Sequence, residues 1–357
     1  MLLTRRVALQ ILVAGVFTSI SRANGQKGRA SVIPTPPTDE EALAAYYATD
    51  AKYRADPVPA PVRRDPAVAF VNTRTSPATP PGKMRKLMRL AVFYDLHETA
   101  PAFTKVLTSS ETEEADITQA ALCLVALAWI GSPDQQGYAQ SYYRRLQERA
   151  DIERDRNTML EVVEAFGGQD AMDSHRQWIQ GGIVALEDRL RQQQALGDLS
   201  GARLTQQKIN ALSEYLHLEL ARVDRAFSIR ARIEQTMPVA RQIPPLVAYS
   251  LGTVADNTPQ LSFWASMKLL RFDAGSYSQI ASEFMKGSAA LPASDPRANL
   301  VKERALRAAE FFGQPLPSPD QAWLAAQPDS GTDPLALRPL YYRSTGTSLL
   351  VGQDLRV

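Results

Sequence analysis

Three histidines, His97, His175 and His217, and one cysteine, Cys123, are the side chains of this 357-residue chain best suited to metal ligation or nucleophilic attack. The histidines are far apart in sequence, and neither a His-Glu-x-x-His helix nor a paired Cys-x-x-Cys accompanies them, so the spacing gives no zinc site. His97 stands in Asp95-Leu96-His97-Glu98, with a carboxylate on either side. Such a pair could move a proton, although the same residues also describe a solvated turn. Cys123 lies among Leu122, Leu124 and Val125 and reads as a small buried hydrophobe. Carboxylates gather at Glu111, Glu113, Glu114 and Asp116, and again between Glu148 and Arg156, where they alternate with arginine. The first group lacks the glycine and ligand spacing of a calcium loop, and both read as solvated helix ends. Pro81-Gly82-Lys83 ends like a phosphate loop, but Pro77 stands where its first glycine belongs. No Gly-x-Ser-x-Gly elbow or glycine-rich dinucleotide turn is present either. These observations assign no catalytic residue, no cofactor and no metal.

The residue types that dominate binding surfaces are better represented. Tyr138, Tyr142, Tyr143, Arg144 and Arg145 fall on one stretch of helix, and tyrosine and arginine are the residues that anchor protein interfaces. Adjacent Tyr142 and Tyr143 are not expected to point into one core together. One of the two is therefore expected to face a partner, and these five residues are the candidate partner-binding set. Phe263-Trp264 and Phe311-Phe312 sit at helical spacing from other apolar residues and read as core.

The elements that would position them are helical. Thr38-Asp39-Glu40-Glu41 is a capping box that opens a short helix through about Tyr53. Prolines at 57, 59, 61, 66, 77, 80 and 81 then mark a linker, since each fixes φ and removes a donor. Regular helix resumes at Lys83. Tyr94-Asp95, Ile130-Gly131 and Phe166-Gly167 each end an apolar helix and lie 36 residues apart. Pro101 and Pro133 follow two of these joints at the first helical turn, where a missing amide costs nothing.

The block from Ile117 to Asp134, a helix rich in small residues that ends in Ile130-Gly131 and passes to Ser132-Pro133, resembles a HEAT-type repeat. The resemblance covers roughly residues 83–180 and rests on a grammar that any antiparallel helix pair shares. It implies stacked helical hairpins and no particular chemistry.

Ile179, Ile183, Leu186, Leu190 and Leu196 then form a narrow apolar seam on an otherwise polar helix. Gly197-Asp198-Leu199-Ser200-Gly201 breaks the seam, Ser200 is the expected cap, and it resumes as Ile209, Leu212, Leu216, Leu220, Val223 and Phe227. A long antiparallel hairpin is expected, ended by Met237-Pro238 and Pro244-Pro245. Ala195-Leu196-Gly197-Asp198 is also similar to the turn of tetratricopeptide repeats, but Ile209 replaces the alanine that family expects downstream. Helices opened by Thr258-Pro259, Asp295-Pro296 and Ser318-Pro319 follow, with another between Ser276 and Leu291. Leu340-Tyr341-Tyr342 and Leu349-Leu350-Val351 flank Ser344-Thr345-Gly346 as a small strand hairpin, the only β signal.

The chain opens with Arg5-Arg6, an apolar run from Val7 to Ile20, and Ser21-Arg22-Ala23. This is the grammar of a cleaved export signal, with cleavage expected after Ala23. The run is shorter than the ~20 residues a membrane-spanning anchor wants. Thr4 to Gln10 resembles the twin-arginine export motif, with Ala8 and Gln10 where that motif prefers phenylalanine and lysine. The twin-arginine and general secretory routes both stay open. Loss of Arg5, Arg6 and Arg22 lowers the 40 basic residues to 37 against 38 acidic ones, a net charge of −1. A near-neutral mature chain does not point to nucleic acid as a partner.

The sequence therefore reads as an all-α, α-solenoid-like protein of stacked antiparallel helical hairpins, with one long hairpin and a small C-terminal β-hairpin. Its expected divisions are a signal peptide (1–23), a proline-rich tether with a short helix (24–82), HEAT-like hairpins (83–170), the long hairpin (171–235), C-terminal helices (236–330) and a tail (331–357). Stacked helices give extended surfaces, which suit recognition of another macromolecule. The expected function is a non-enzymatic, exported interaction or assembly scaffold of the bacterial cell envelope, periplasmic or extracellular, with no membrane span once the signal is removed. Its partner would be another envelope protein, or a second copy joined through 171–235. Two alternatives are a helical hydrolase or lyase acting on polysaccharide or peptidoglycan with two carboxylates, and a binder of a small apolar ligand.

Overall fold

The computed structural model describes residues 38–48, 62–109, 116–326 and 347–348. These residues are all-α apart from one antiparallel pair, β1 (Val62–Arg63) with β2 (Thr347–Ser348), in which Val62 lies opposite Ser348. The expected signal peptide (1–23) and the expected strands at 340–342 and 349–351 lie outside the described residues. No helix among the described residues is long and apolar enough to cross a membrane.

Helix α1 (Asp39–Ala48) starts at the expected capping box: Thr38 N donates to Glu41 Oε2 at 2.8 Å, and Glu41 N donates to Thr38 Oγ1 at 3.2 Å. Two lysines of α3 (Pro81–Phe93) take its last carbonyls, Lys86 donating to Tyr46 O at 2.6 Å and Lys83 to Tyr47 O. The stretch between them is not all linker. Arg64–Arg74 forms α2, because Pro66 sits in the first turn, where its missing amide would have had no intrahelical partner. Ala67, Phe70 and Val71 give α2 a buried face at helical spacing.

The next joints fall where the 36-residue spacing puts them. Helix α3 ends at Phe93, α5 (Ile117–Ile130) at Gly131 and α7 (Ile152–Phe166) at a left-handed Gly167, φ 68°. Helices α4 (Ala100–Thr108) and α6 (Pro133–Arg149) lie between them, and Ser132 with Gln135 forms a reciprocal capping box at the start of α6. Helix α5 packs against α3, α4, α6 and α7. Its run from Ala120 to Leu127 is buried all round, Cys123 included, as an evenly apolar helix must be. Burial pushes the Cys123 thiol well up, which suits a core residue.

Helix α8 (Gln169–Ala195) pairs with α9 (Leu199–Tyr215), which runs through a π-helical turn at Leu216–Leu220 into α10 (Ala221–Thr236). Asp198, not Ser200, caps α9: its carboxylate accepts from Gly201 N at 2.9 Å. The remaining helices are α11 (Val239–Leu251), α12 (Pro259–Leu270), α13 (Tyr277–Gly287), α14 (Ala298–Phe311) and α15 (Ser318–Ala325). Pro244 and Pro245 do not end a helix but sit inside α11. The Ala240 carbonyl that Pro244 cannot bond instead accepts from the Gln279 side chain at 3.0 Å.

Candidate functional site

At the base of the α8–α9 hairpin a line of hydrogen bonds, buried at its centre and part-buried at its two ends, joins four helices. Ser174 Oγ donates to Gln147 Oε1 (2.8 Å), and Gln147 Nε2 donates to the Tyr143 hydroxyl (3.2 Å). That hydroxyl lies 3.0 Å from His175 Nδ1, His175 Nε2 lies 3.1 Å from the Tyr215 hydroxyl, and Tyr215 donates to the Arg156 carbonyl (3.2 Å). The donor inventory fixes every direction. A carbonyl only accepts, so Tyr215 spends its proton on Arg156 O and must accept from His175 Nε2–H. A neutral imidazole then has Nδ1 free to accept from Tyr143. His175 is 0% exposed, and burial pushes its pKa down to about 3, so the ring is neutral and the line of bonds complete. Burial likewise raises the Tyr143 and Tyr215 hydroxyls.

Beyond Ile179 no residue of α8 is buried, from Gln180 to Ala195, a run of about 24 Å at 1.5 Å per residue. Ala202, Thr205 and Ile209 of α9 are buried, and Thr205 Oγ1 donates to Gln193 Oε1 at 2.7 Å. The outward surface is apolar in places. Leu196 is 84% and Leu199 79% exposed at the turn, with Val184, Leu204 and Leu218 each more than half exposed. Leu204, Ala211 and Leu218 recur every seven residues and form one exposed stripe along α9 and its π turn. Where the stripe meets the start of α12, His217, Leu218, Ala221, Arg225, Asp256 and Leu261 line an open groove of about 390 Å³.

The candidate residues taken from the sequence divide. Tyr143 is 1% and Tyr142 6% exposed, so both enter the core, and the expectation that the two could not do so together fails. Helix α6 lies between α5 and α8 and therefore buries a broader face than one partner would require. Tyr143 packs edge-on against Phe166 at 6.0 Å, while Tyr142 meets Tyr138 at a tilt (6.1 Å) and lies under the Arg145 guanidinium (4.9 Å). Tyr138 is half-buried, and Arg144 and Arg145 are exposed.

The Asp95–His97 pair is formed, but its geometry does not suit proton transfer to a substrate. His97 Nε2 faces Asp95 Oδ2 at 3.2 Å and Nδ1 faces the Ile130 carbonyl at 2.8 Å, so neither nitrogen is left for a reacting group. The buried carboxylates are also engaged: Asp95 with Arg271, Asp155 with Arg154 and Glu164 with Arg222. Asp116 and Asp151, from the two acidic clusters, cap α5 and α7. Among the described residues no group of three or more His, Cys, Asp or Glu could hold a metal ion.

Sequence reasoning missed the His175 network, although a cue was present. Met172, His175 and Ile179 step by three and four along the seam of α8, and a histidine on a seam needs buried partners for both nitrogens. Comparison with protein-family models, with curated proteins and with solved structures finds no match.

Proposed function

We propose that the protein is a non-enzymatic interaction or assembly scaffold of the bacterial cell envelope, exported by its N-terminal segment, with the α8–α9 hairpin as its docking arm. The observation that carries the reading is where exposed apolar side chains concentrate. Among the described residues, six large hydrophobics stand most open, Val184, Leu196, Leu199, Leu204, Leu218 and Val239, and five of them belong to the hairpin and its π turn. Clustered exposed apolar surface marks interaction sites, because covering it releases water and lowers the free energy of the system. The buried root supports the same reading, since it holds the arm in one orientation before a partner arrives. The packing of α5 against both α3 and α7 is compatible with a stacked, solenoid-like body.

The test is affinity capture from envelope extract with the mature chain and with a L196E/L199E variant. A stoichiometric partner is expected on the wild type and not on the variant. Equal recovery on both, or no partner on either, contradicts the arm as the docking element. A second reading, a small-ligand binder, is favoured by the groove beside Leu218 and Arg225, whose apolar wall and cationic rim suit a molecule with a carboxylate. Octanoate should then shift amide resonances of Leu218, Ala221 and Leu261, and unmoved resonances would rule that reading out.

A further inference from the structure

Helix α3 ends in a turn that places a non-glycine residue where glycine is normal. Asp95 has φ 50°, while the equivalent joint after α7 uses Gly167 at φ 68°. The α3 turn is closed by Leu96 N donating to Ala91 O at 2.8 Å, a bond that glycine at 95 would serve with less strain. What aspartate adds is a carboxylate. Its Oδ1 lies 3.2 Å from Arg271 and its Oδ2 3.2 Å from His97 Nε2.

The cations it gathers close the C-terminus of α5. His97 Nδ1 stands 2.8 Å from Ile130 O, and Arg271, just beyond α12, donates to Trp129 O at 2.6 Å. These carbonyls belong to the last turn of α5, where helix geometry leaves acceptors without partners and favours positive charge. Around this centre Arg64 of α2 donates to Tyr94 O and Asp95 O (both 3.3 Å) and pairs with Glu98 at 2.5 Å. The charged groups facing His97 are thus Asp95 and Glu98 from its own turn, Arg64 from α2 and Arg271 from the end of α12.

His97 differs from His175 in what its nitrogens meet. A backbone carbonyl has no proton to give, and a carboxylate beside Arg271 is ionised. Both His97 nitrogens therefore face groups that only accept, and only a ring protonated on both can satisfy them. We infer that His97 is an imidazolium in the folded protein and that the joint of the α3–α4 turn, α5 and α12 is a proton-operated clamp. It is closed with His97 charged and loosened when His97 loses its proton, because one nitrogen then presents a lone pair to an oxygen. The hydrogen bond that His97 donates to the Asp95 carboxylate raises the His97 pKa above its ordinary 6.5, in the same sense.

The chain has only three histidines, so long-range ¹H–¹⁵N correlation spectra of the labelled full-length protein can follow each ring separately. His97 is expected to show the doubly protonated pattern at pH 7 and to titrate with a midpoint above 6.5, and Asp95→Asn is expected to lower that midpoint. The Gly131 amide should titrate with the same midpoint in the wild type and lose that inflection in His97→Gln. The neutral, Nε2-protonated signal of His175 reports that each variant is folded. A neutral His97 at pH 7, a midpoint at or below 6.5, or a midpoint unmoved in folded Asp95→Asn overturns the inference. The wild-type spectrum decides the first two without any variant.

Discussion

The base and the tip of the α8–α9 hairpin share two helices and one apolar seam, yet they spend their side chains differently. At the base, His175, Tyr143 and Tyr215 are buried in a directed line of hydrogen bonds that reaches α6 and α7. At the tip, Leu196 and Leu199 stand in water with no cover among the described residues. The seam alone would let the hairpin pair with many neighbours. The polar line selects one, since any other docking leaves buried donors and acceptors unmatched. In the proposed scaffold, the apolar surface withheld from the core at the tip is the docking surface.

The comparison is most strongly strained by charging His175. Its folded pKa of about 3 lies below the unfolded 6.5, so its contribution is fully present above 6.5 and is lost as pH falls from there toward 3. At about 1.4 kcal/mol per pH unit, urea unfolding at pH 7 and at pH 4 should differ by about 3 kcal/mol on this account, an order-of-magnitude figure, because pH 4 lies about 2.5 units below 6.5. Removing the ring is next: His175→Ala should cost about 3–5 kcal/mol, from the cavity and the hydroxyls it leaves unmatched. A cost below about 1 kcal/mol would mean that the root is not held by this network. Tyr143→Phe keeps the ring and loses only the hydroxyl, for about 1–3 kcal/mol in the same assay.

His97 answers to pH in the opposite sense. Its folded pKa is raised, so its contribution is complete below 6.5 and fades as pH rises through the folded value. The ring is half exposed, so solvent screening limits that contribution to about 1 kcal/mol or less. Asp95 adds a separate loss at low pH. Burial pushes its carboxyl up, but the His97 and Arg271 contacts outweigh this and hold it below 3.8, so its stabilisation fades as pH falls through that lowered value. The smallest effect on stability belongs to the tip, where L196E/L199E should change unfolding free energy by no more than about 0.5 kcal/mol.

Much of the helical frame was legible because punctuation is local. Ser132-Pro133 and Thr258-Pro259 cap α6 and α12 where their types require, and Gly167 takes the left-handed turn its position demands. What escaped depends on partners far away in sequence. Pro244 and Pro245 read as a break because nothing near them shows that Gln279 supplies the donor Ala240 needs. Pro66 read as linker because a first-turn proline and a linker proline look alike until the buried face of Ala67, Phe70 and Val71 is placed against the core. On one helix alone Tyr142 and Tyr143 compete for a single core face, whereas burial of both follows from α6 having neighbours on two sides. The His175 network spans separations of 32 and 40 residues, which no periodicity encodes.

The docking role of the arm is tested most directly by comparing two surface variants for partner recovery from envelope extract, each first shown to unfold like the wild type. The account predicts that L196E/L199E loses the stoichiometric partner and that R144E/R145E, on the exposed side of α6, keeps it. Retention by the first and loss by the second would contradict it and move the docking surface to the tyrosine and arginine face of α6.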